Sequence, residues 1–131
     1  MNIKFRFLTS LALIITLTSF GQKPTCKSLH TGSFKIDSKE VGTTFIKRTE
    51  KYQIEKNDNL GYEIIFDITW IDECIYELRP KKLIKGDPSI LGDGKSVLKT
   101  KIKGISNNNY IAETSANFSK EVMDFVVEII K

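Results

Sequence analysis

The segment from Tyr62 to Trp70 alternates between apolar and mostly polar residues, and this pattern constrains the fold more than any other feature of the chain. One face of an extended segment would carry Tyr62, Ile64, Phe66, Ile68 and Trp70, and the other Glu63, Ile65, Asp67, Thr69 and Ile71. Alternation with a period of two predicts a strand with one buried face, as in an antiparallel sheet whose other face meets water.

The same alternation recurs along most of the chain. It covers 33–37, 43–49, 73–79 and 98–103, and Tyr52 and Ile54 alternate with Lys51, Gln53 and Glu55. Turn-forming Asn, Asp and Gly separate the segments at 56–61 and 106–109. The C-terminal run 122–130 fits a helix or a strand, and its β-branched residues favour the strand. The pattern predicts an all-β antiparallel meander of seven to eight strands, either a lipocalin-like barrel or a sandwich.

The N-terminus has the features of an export signal. Lys4 and Arg6 precede an uncharged apolar run at 7–20, and small residues stand at Ser19 and Gly21. This pattern predicts a signal peptide over 1–21, cleaved before Gln22, and a single β domain over 22–131. The run is too short for a comfortable membrane-spanning helix. We therefore expect an exported protein, periplasmic or extracellular, with no transmembrane segment in its mature form.

Charge is distributed unevenly along the chain. The formal net charge is +4, and without Lys4 and Arg6 it is +2, which together with export argues against a nucleic-acid partner. The segment 50–77 has a net charge of −6 and 79–103 a net charge of +6, so the two could pair as neighbouring strands. The basic segment could also bind an anionic surface, or simply form a solvated, protective strand face. The candidate anion-binding residues are Arg79, Lys81, Lys82, Lys99, Lys101 and Lys103.

The chain has two cysteines, Cys26 and Cys74. Export would bring them into an oxidising compartment, where a disulfide persists, so a bridge is the favoured prediction and two separate thiols the alternative. On the chain-entropy model, closing a loop of this length would stabilise the domain by about 4 kcal/mol.

Residues for catalysis or metal binding are scarce. The chain has one histidine, His30, and its spacing from Cys26 gives only half of a metal site. Asp72 and Glu73 are adjacent, so on a strand they would point to opposite faces, a poor arrangement for an acid and a base acting on one bond. The glycine-rich stretch 86–94 fits neither an EF-hand nor a P-loop. The sequence therefore predicts no catalytic residue, no metal ligand and no cofactor.

Three short regions carry a family resemblance. They are Cys26 followed by His30-Thr31-Gly32-Ser33-Phe34, then Phe45-Ile46-Lys47-Arg48 with Gln53-Ile54-Glu55, and above all Trp70-x₃-Cys74-x-Tyr76-x-Leu78. Together they resemble a family of small exported proteins of Bacteroidetes bacteria. The resemblance covers most of the chain after the signal peptide. Some similar proteins are labelled DNA topoisomerases, an activity for which a domain of this size has no room. The resemblance implies fold-maintaining roles for these residues and supplies no catalytic ones.

Function is the least constrained property. We expect a binding or accessory module of the bacterial envelope, whose partner is a small hydrophobic ligand or an envelope protein. Two alternatives stay open: a small hydrolase acting on a cell-envelope or sugar substrate, and an anionic-surface binder that uses segment 79–103. The residues expected to form the structural core are Phe34, Tyr62, Ile64, Phe66, Ile68, Trp70, Tyr76 and Leu78.

Overall fold

Eight antiparallel strands close into a barrel in which each strand pairs with the next along the chain and the last returns to the first. The structure is a computed structural model that describes residues 23–131, so the predicted signal peptide lies outside the described residues. The strands are β1 (Gly32–Ser38), β2 (Gly42–Arg48), β3 (Tyr52–Asn57), β4 (Tyr62–Trp70), β5 (Ile75–Lys85), β6 (Leu98–Lys103), β7 (Asn109–Ala116) and β8 (Val122–Ile130).

The all-β meander predicted from the sequence is confirmed, in its barrel form. The C-terminal run is strand β8, as its β-branched residues favoured. One local expectation is wrong, because 71–74 form a turn and β5 begins only at Ile75. Asp72 and Glu73 therefore lie in that turn, where Asp72 Oδ1 accepts a hydrogen bond from Cys74 N at 2.7 Å.

The two ends of the barrel differ. A short 3₁₀ helix, Lys27–His30, precedes β1 at the end that also carries the β2–β3, β4–β5 and β6–β7 turns; we call this the capped end. The other end, the mouth end, carries the remaining connections, including the long β5–β6 loop with a second 3₁₀ helix, Pro88–Leu91. None of the helices within 23–131 has the length and apolar character needed to cross a membrane.

The disulfide predicted from the sequence is confirmed, and it holds the cap. Cys26 and Cys74 are bridged with their Cα atoms 5.1 Å apart, joining the residue before the 3₁₀ helix to the β4–β5 turn. The chain then enters β1 through Gly32, whose φ of +133° is one that side-chain-bearing residues rarely adopt.

The interior holds the core. Of the residues expected there, Phe34, Ile64, Phe66, Ile68, Tyr76 and Leu78 are buried, while Tyr62 and Trp70 are partly buried and pack against them. Other strands complete the buried cluster with Leu29, Ile46, Ile102, Tyr110, Ala112 and Val127.

Strand β3 faces the interior with its polar side. Gln53 and Asn57 are buried, whereas Tyr52 is exposed. The polar residues of the alternating pattern therefore form the inner face of β3. The acidic and basic segments lie side by side, as their charges allow: β4 pairs with β5, and Lys81 Nζ lies 3.6 Å from Asp67 Oδ1.

Candidate functional site: a polar interior between cap and mouth

Arg48, at the end of β2, is the centre of the polar interior at the capped end. Its side chain is directed inward and the residue is only 2% exposed. Nη1 donates to the Leu29 carbonyl at 2.7 Å, Nε donates to Gln53 Oε1 at 2.9 Å, and Nη2 donates to the hydroxyls of Tyr76 and Tyr110 at 3.2 and 3.1 Å. Four hydrogen bonds of this kind offset the cost of burying a guanidinium.

Aromatic rings enclose the same guanidinium. Its Cζ lies 4.6 Å from the ring centre of Phe34 and 4.9 Å from that of Tyr76. Burial opposes the charge, but the oxygens of Tyr76 and Tyr110 outweigh it and raise the pKa of Arg48. Burial also raises the pKa of Tyr76, so its hydroxyl stays protonated. Arg48 is therefore a permanent cation built into the core.

A second aromatic contact lies at the edge of the cap. The His30 ring stacks on Trp70, with ring centres 3.5 Å apart, and His30 Nε2 lies 2.8 Å from the Glu73 carbonyl oxygen. Trp70 Nε1 is buried and has no hydrogen-bond partner among the described residues. His30 thus positions the cap, and within 23–131 no three His, Cys, Asp or Glu side chains cluster as a metal site would require.

The polar chain continues from the cap towards the mouth. Gln53, which accepts from Arg48, donates through Nε2 to Glu55 Oε1 at 2.9 Å. Glu55 Oε2 makes no hydrogen bond to any side chain or backbone group in 23–131, and the residue is partly exposed. Burial raises the pKa of Glu55 and, together with the Glu55 carboxyl, that of Tyr62. Glu55 is therefore the end of this polar chain, with one carboxyl oxygen that no group of 23–131 hydrogen-bonds.

Partly buried apolar side chains lie towards the mouth end. Each packs against the core and keeps part of its surface exposed. Leu91 is the one residue of 86–94 that is partly buried against the core, and the rest of this stretch is exposed. The set consists of Ile36, Leu83, Leu91, Leu98 and Phe125.

Asn57 fixes the opposite rim of the mouth. It is fully buried, and its Nδ2 donates to the Val41 carbonyl at 3.1 Å and to Thr44 Oγ1 at 3.0 Å. Its Oδ1 accepts from Leu60 N at 2.9 Å. One side chain thus joins the β1–β2 and β3–β4 turns, which makes this rim rigid.

The six candidate anion-binding residues lie on β5 and β6, and acidic neighbours pair with half of them. Arg79 lies 3.1 Å from Glu77, Lys81 3.6 Å from Asp67, and Lys103 2.7 Å from Glu113. Lys82, Lys99 and Lys101 make no ion pair with another residue of 23–131. The basic segment is therefore partly neutralised rather than a uniform cationic face.

Comparison with known proteins adds no further constraint. Neither a protein-family model, nor a curated protein sequence, nor a solved structure matches the chain significantly. The function therefore has to be inferred from the interior and the surface of the barrel.

Sequence analysis gave no site role to Arg48, Gln53, Glu55 or Asn57, although the first three lie in a region that carries the family resemblance. One signal was present, because Arg48 shares its strand face with Ile46, two positions earlier, and Ile46 is buried. Within β3, the face opposite Tyr52 and Ile54 carries Gln53, Glu55 and Asn57. An inner face made of such residues points to a hydrogen-bonded interior.

Proposed function

We propose that the barrel is a binding module of the bacterial envelope that takes a small amphipathic molecule into its mouth end. The observation that carries the proposal is the Glu55 carboxyl, which is directed inward and has one oxygen without a partner among the described residues. An eight-stranded barrel is wide enough to hold one small ligand above a filled base. A few polar groups within an apolar lining are typical of such sites.

The difference between the two ends of the barrel supports a ligand site at the mouth end. The capped end is filled by Arg48 and the rings around it, so a ligand would be confined to the mouth half. The apolar part of the ligand would contact Ile36, Leu98 and Phe125, with its polar group at Glu55. Leu91 is placed to cover the ligand, because its side chain already packs against the core.

The disulfide supports an exported location. Bridges such as Cys26–Cys74 persist in the periplasm or outside the cell and are rare in a reducing cytosol. The signal peptide expected over 1–21 would direct the chain to export.

Fluorescence titration with N-phenyl-1-naphthylamine, an uncharged apolar probe, tests the proposal. We expect saturable binding of one probe per chain, lost in Leu98→Trp, which fills the mouth, and retained in Leu60→Trp, on the exposed β3–β4 turn. Organic extracts of protein purified from its own host should contain a co-purifying molecule in a fixed ratio. Absence of both saturable binding and a co-purifying molecule would exclude this function.

A second candidate function is binding of an anionic lipid or polysaccharide surface. The observation that favours it is that Lys99 and Lys101, two positions apart on β6, make no ion pair within 23–131. Co-sedimentation with phosphatidylglycerol vesicles should then fall in Lys99→Gln/Lys101→Gln and at high salt. Lys35→Gln is the matched control, because Lys35 is paired with Asp37 and Glu128. Equal sedimentation of both variants would remove this candidate.

A further inference from the structure

The barrel closes incompletely between its first and last strands. β1 pairs with β2 along its whole length but with β8 at only three positions, Ser33, Phe34 and Lys35. β8 pairs with β7 from Val122 to Glu128. Residues 122–127 of β8 therefore have no strand on their β1 side among the described residues; we call this edge the β8 edge.

Along the β8 edge, every second residue has backbone N–H and C=O groups that no described strand binds. Ile129 N donates to Asn108 O of the β7 side at 2.8 Å, so the odd-numbered residues of β8 are bonded to β7. In an antiparallel strand alternate residues point their N–H and C=O groups to opposite neighbours. Val122, Asp124 and Val126 therefore direct theirs to the β1 side, where only an added extended strand could satisfy them in order.

The side chains of the β8 edge do not protect it. Natural edges are commonly blocked by lysine, proline or a bulge. Here Val122 is 60% and Val126 62% exposed, and Met123 on the same strand is also exposed. The charge on this stretch, Asp124, is engaged by Lys103 Nζ at 3.2 Å. A groove of about 400 Å³ crosses β8 next to this edge, lined by Lys35 and Asp37 of β1, by Val126, Glu128 and Ile129 of β8, and by Asn108 and Asn109 on the β7 side.

The sequence of the edge is complementary to itself. Residues 122–126 read Val-Met-Asp-Phe-Val, which is symmetric in polarity about Asp124. In antiparallel pairing with a second copy centred on this residue, Val122 would face Val126 and Met123 would face Phe125. Pairing with a second copy ends before Glu128, because Lys35 of β1 already occupies the position beside that residue.

We propose that a second copy of this chain docks on the β8 edge, so that two barrels join through antiparallel β8 strands around a two-fold axis at Asp124. A two-fold interface uses the same patch on both copies, so every favourable pair occurs twice. The central Asp124 pair is the unfavourable contact, moderated by Lys103 on each copy. The interface is small, so the dimer is weak and forms at high protein concentration.

Sedimentation velocity on the purified chain, from about 10 μM to about 1 mM, tests the proposal in a range suited to a weak dimer. We expect reversible dimerisation that Val126→Lys and Val122→Lys each weaken by about tenfold or more, because the two valines face each other and each change acts twice. Asp124→Asn should tighten the dimer by removing the central repulsion. Leu60→Lys, an equally exposed apolar site at the β3–β4 turn, should have no effect.

Cysteine cross-linking tests the register independently of any loss of folding. The two described cysteines are already bridged, so an introduced one is the free thiol. Facing residues in a hydrogen-bonded antiparallel pair have Cα atoms about 5.5 Å apart, within disulfide range. Asp124→Cys should therefore oxidise to a covalent dimer and Val122→Cys should not. A monomer at every concentration, or a dimer unaffected by all these variants, would overturn the proposal.

Discussion

The guanidinium of Arg48 donates a 2.7 Å hydrogen bond to the backbone carbonyl of Leu29, joining the end of β2 to the 3₁₀ helix of the cap. Leu29 is itself buried in the core cluster. The cap is thus attached to the barrel by a buried polar contact as well as by apolar packing. Because the same guanidinium bonds Gln53, the contact also links the cap to the polar chain that leads to Glu55.

Replacement of Arg48 by Met should lower the free energy of unfolding by about 3 kcal/mol, since the hydroxyls of Tyr76 and Tyr110 and the Leu29 carbonyl lose a buried donor. Arg48→Lys should recover only part of this, because an ammonium cannot reproduce the planar arrangement of donors. Urea unfolding measures the difference. Arg79→Met, on the outer face of β5, is the matched control and should change stability by less than about 0.5 kcal/mol. An Arg48→Met variant as stable as the parent would contradict the assigned role.

Removal of the disulfide should destabilise the cap and the whole domain. For a sequence separation of 48, the chain-entropy model gives a loss of about 4 kcal/mol in Cys26→Ser/Cys74→Ser. Thermal unfolding with and without reductant checks this: the parent should shift to the Tm of the double variant on reduction, and the variant should not respond. Early hydrogen exchange at Leu29, whose N–H bonds within the cap, should accompany the loss.

Alanine variants at Gly42 and Gly61 allow the cost of backbone strain to be measured apart from the cost of steric crowding. Gly42 and Gly61 both have positive φ, +78° and +71°, but a Cβ at Gly42 would lie 3.0 Å from Asn59 Cβ, whereas one at Gly61 would meet nothing within 4 Å. We expect Gly61→Ala to cost about 1 kcal/mol from strain alone and Gly42→Ala clearly more. Chemical denaturation of both variants gives the comparison. Equal losses would mean that Asn59 moves aside freely.

The positions of the apolar residues and the cysteines in the fold could be predicted from the sequence, whereas that of the buried arginine could not. The alternation in β4 predicts strand, inner face and much of the core, because apolar burial is encoded locally by a period of two. The cysteine pair could be predicted as well, because two cysteines allow one intramolecular bridge. Arg48 could not be placed inside, because its partners Leu29 and Tyr110 lie 19 and 62 residues away along the chain.

The β8 edge escapes sequence analysis for a related reason. The sequence predicts that strands will pair, but the length over which β1 and β8 meet depends on how the barrel closes, a property of all eight strands together. The mouth could not be foreseen either. The apolar residues towards it, such as Ile36 and Leu98, are recognised only in the structure, where they pack partly buried against the core.

The carboxyl of Glu55 should make stability depend on pH in the direction opposite to that of a salt-bridged acid. Burial raises its pKa in the folded state above the ordinary value of 4.5, so between the two values the folded chain binds more protons than the unfolded chain. Stability from this group is therefore fully present below pH 4.5 and is lost as the pH rises through the folded-state pKa.

Glu55→Gln should remove this dependence. An amide keeps an acceptor for Gln53 Nε2 and does not ionise, so the variant should gain stability relative to the parent as the pH rises above 4.5. The measurement is the free energy of unfolding in urea for both chains at a series of pH values. Their difference isolates Glu55, because the contributions of all other titrating groups are common to both. A difference that is flat with pH, or that favours the parent at neutral pH, would show that the folded chain holds Glu55 as a stabilised carboxylate, paired more closely with Arg48 than the polar chain through Gln53 allows.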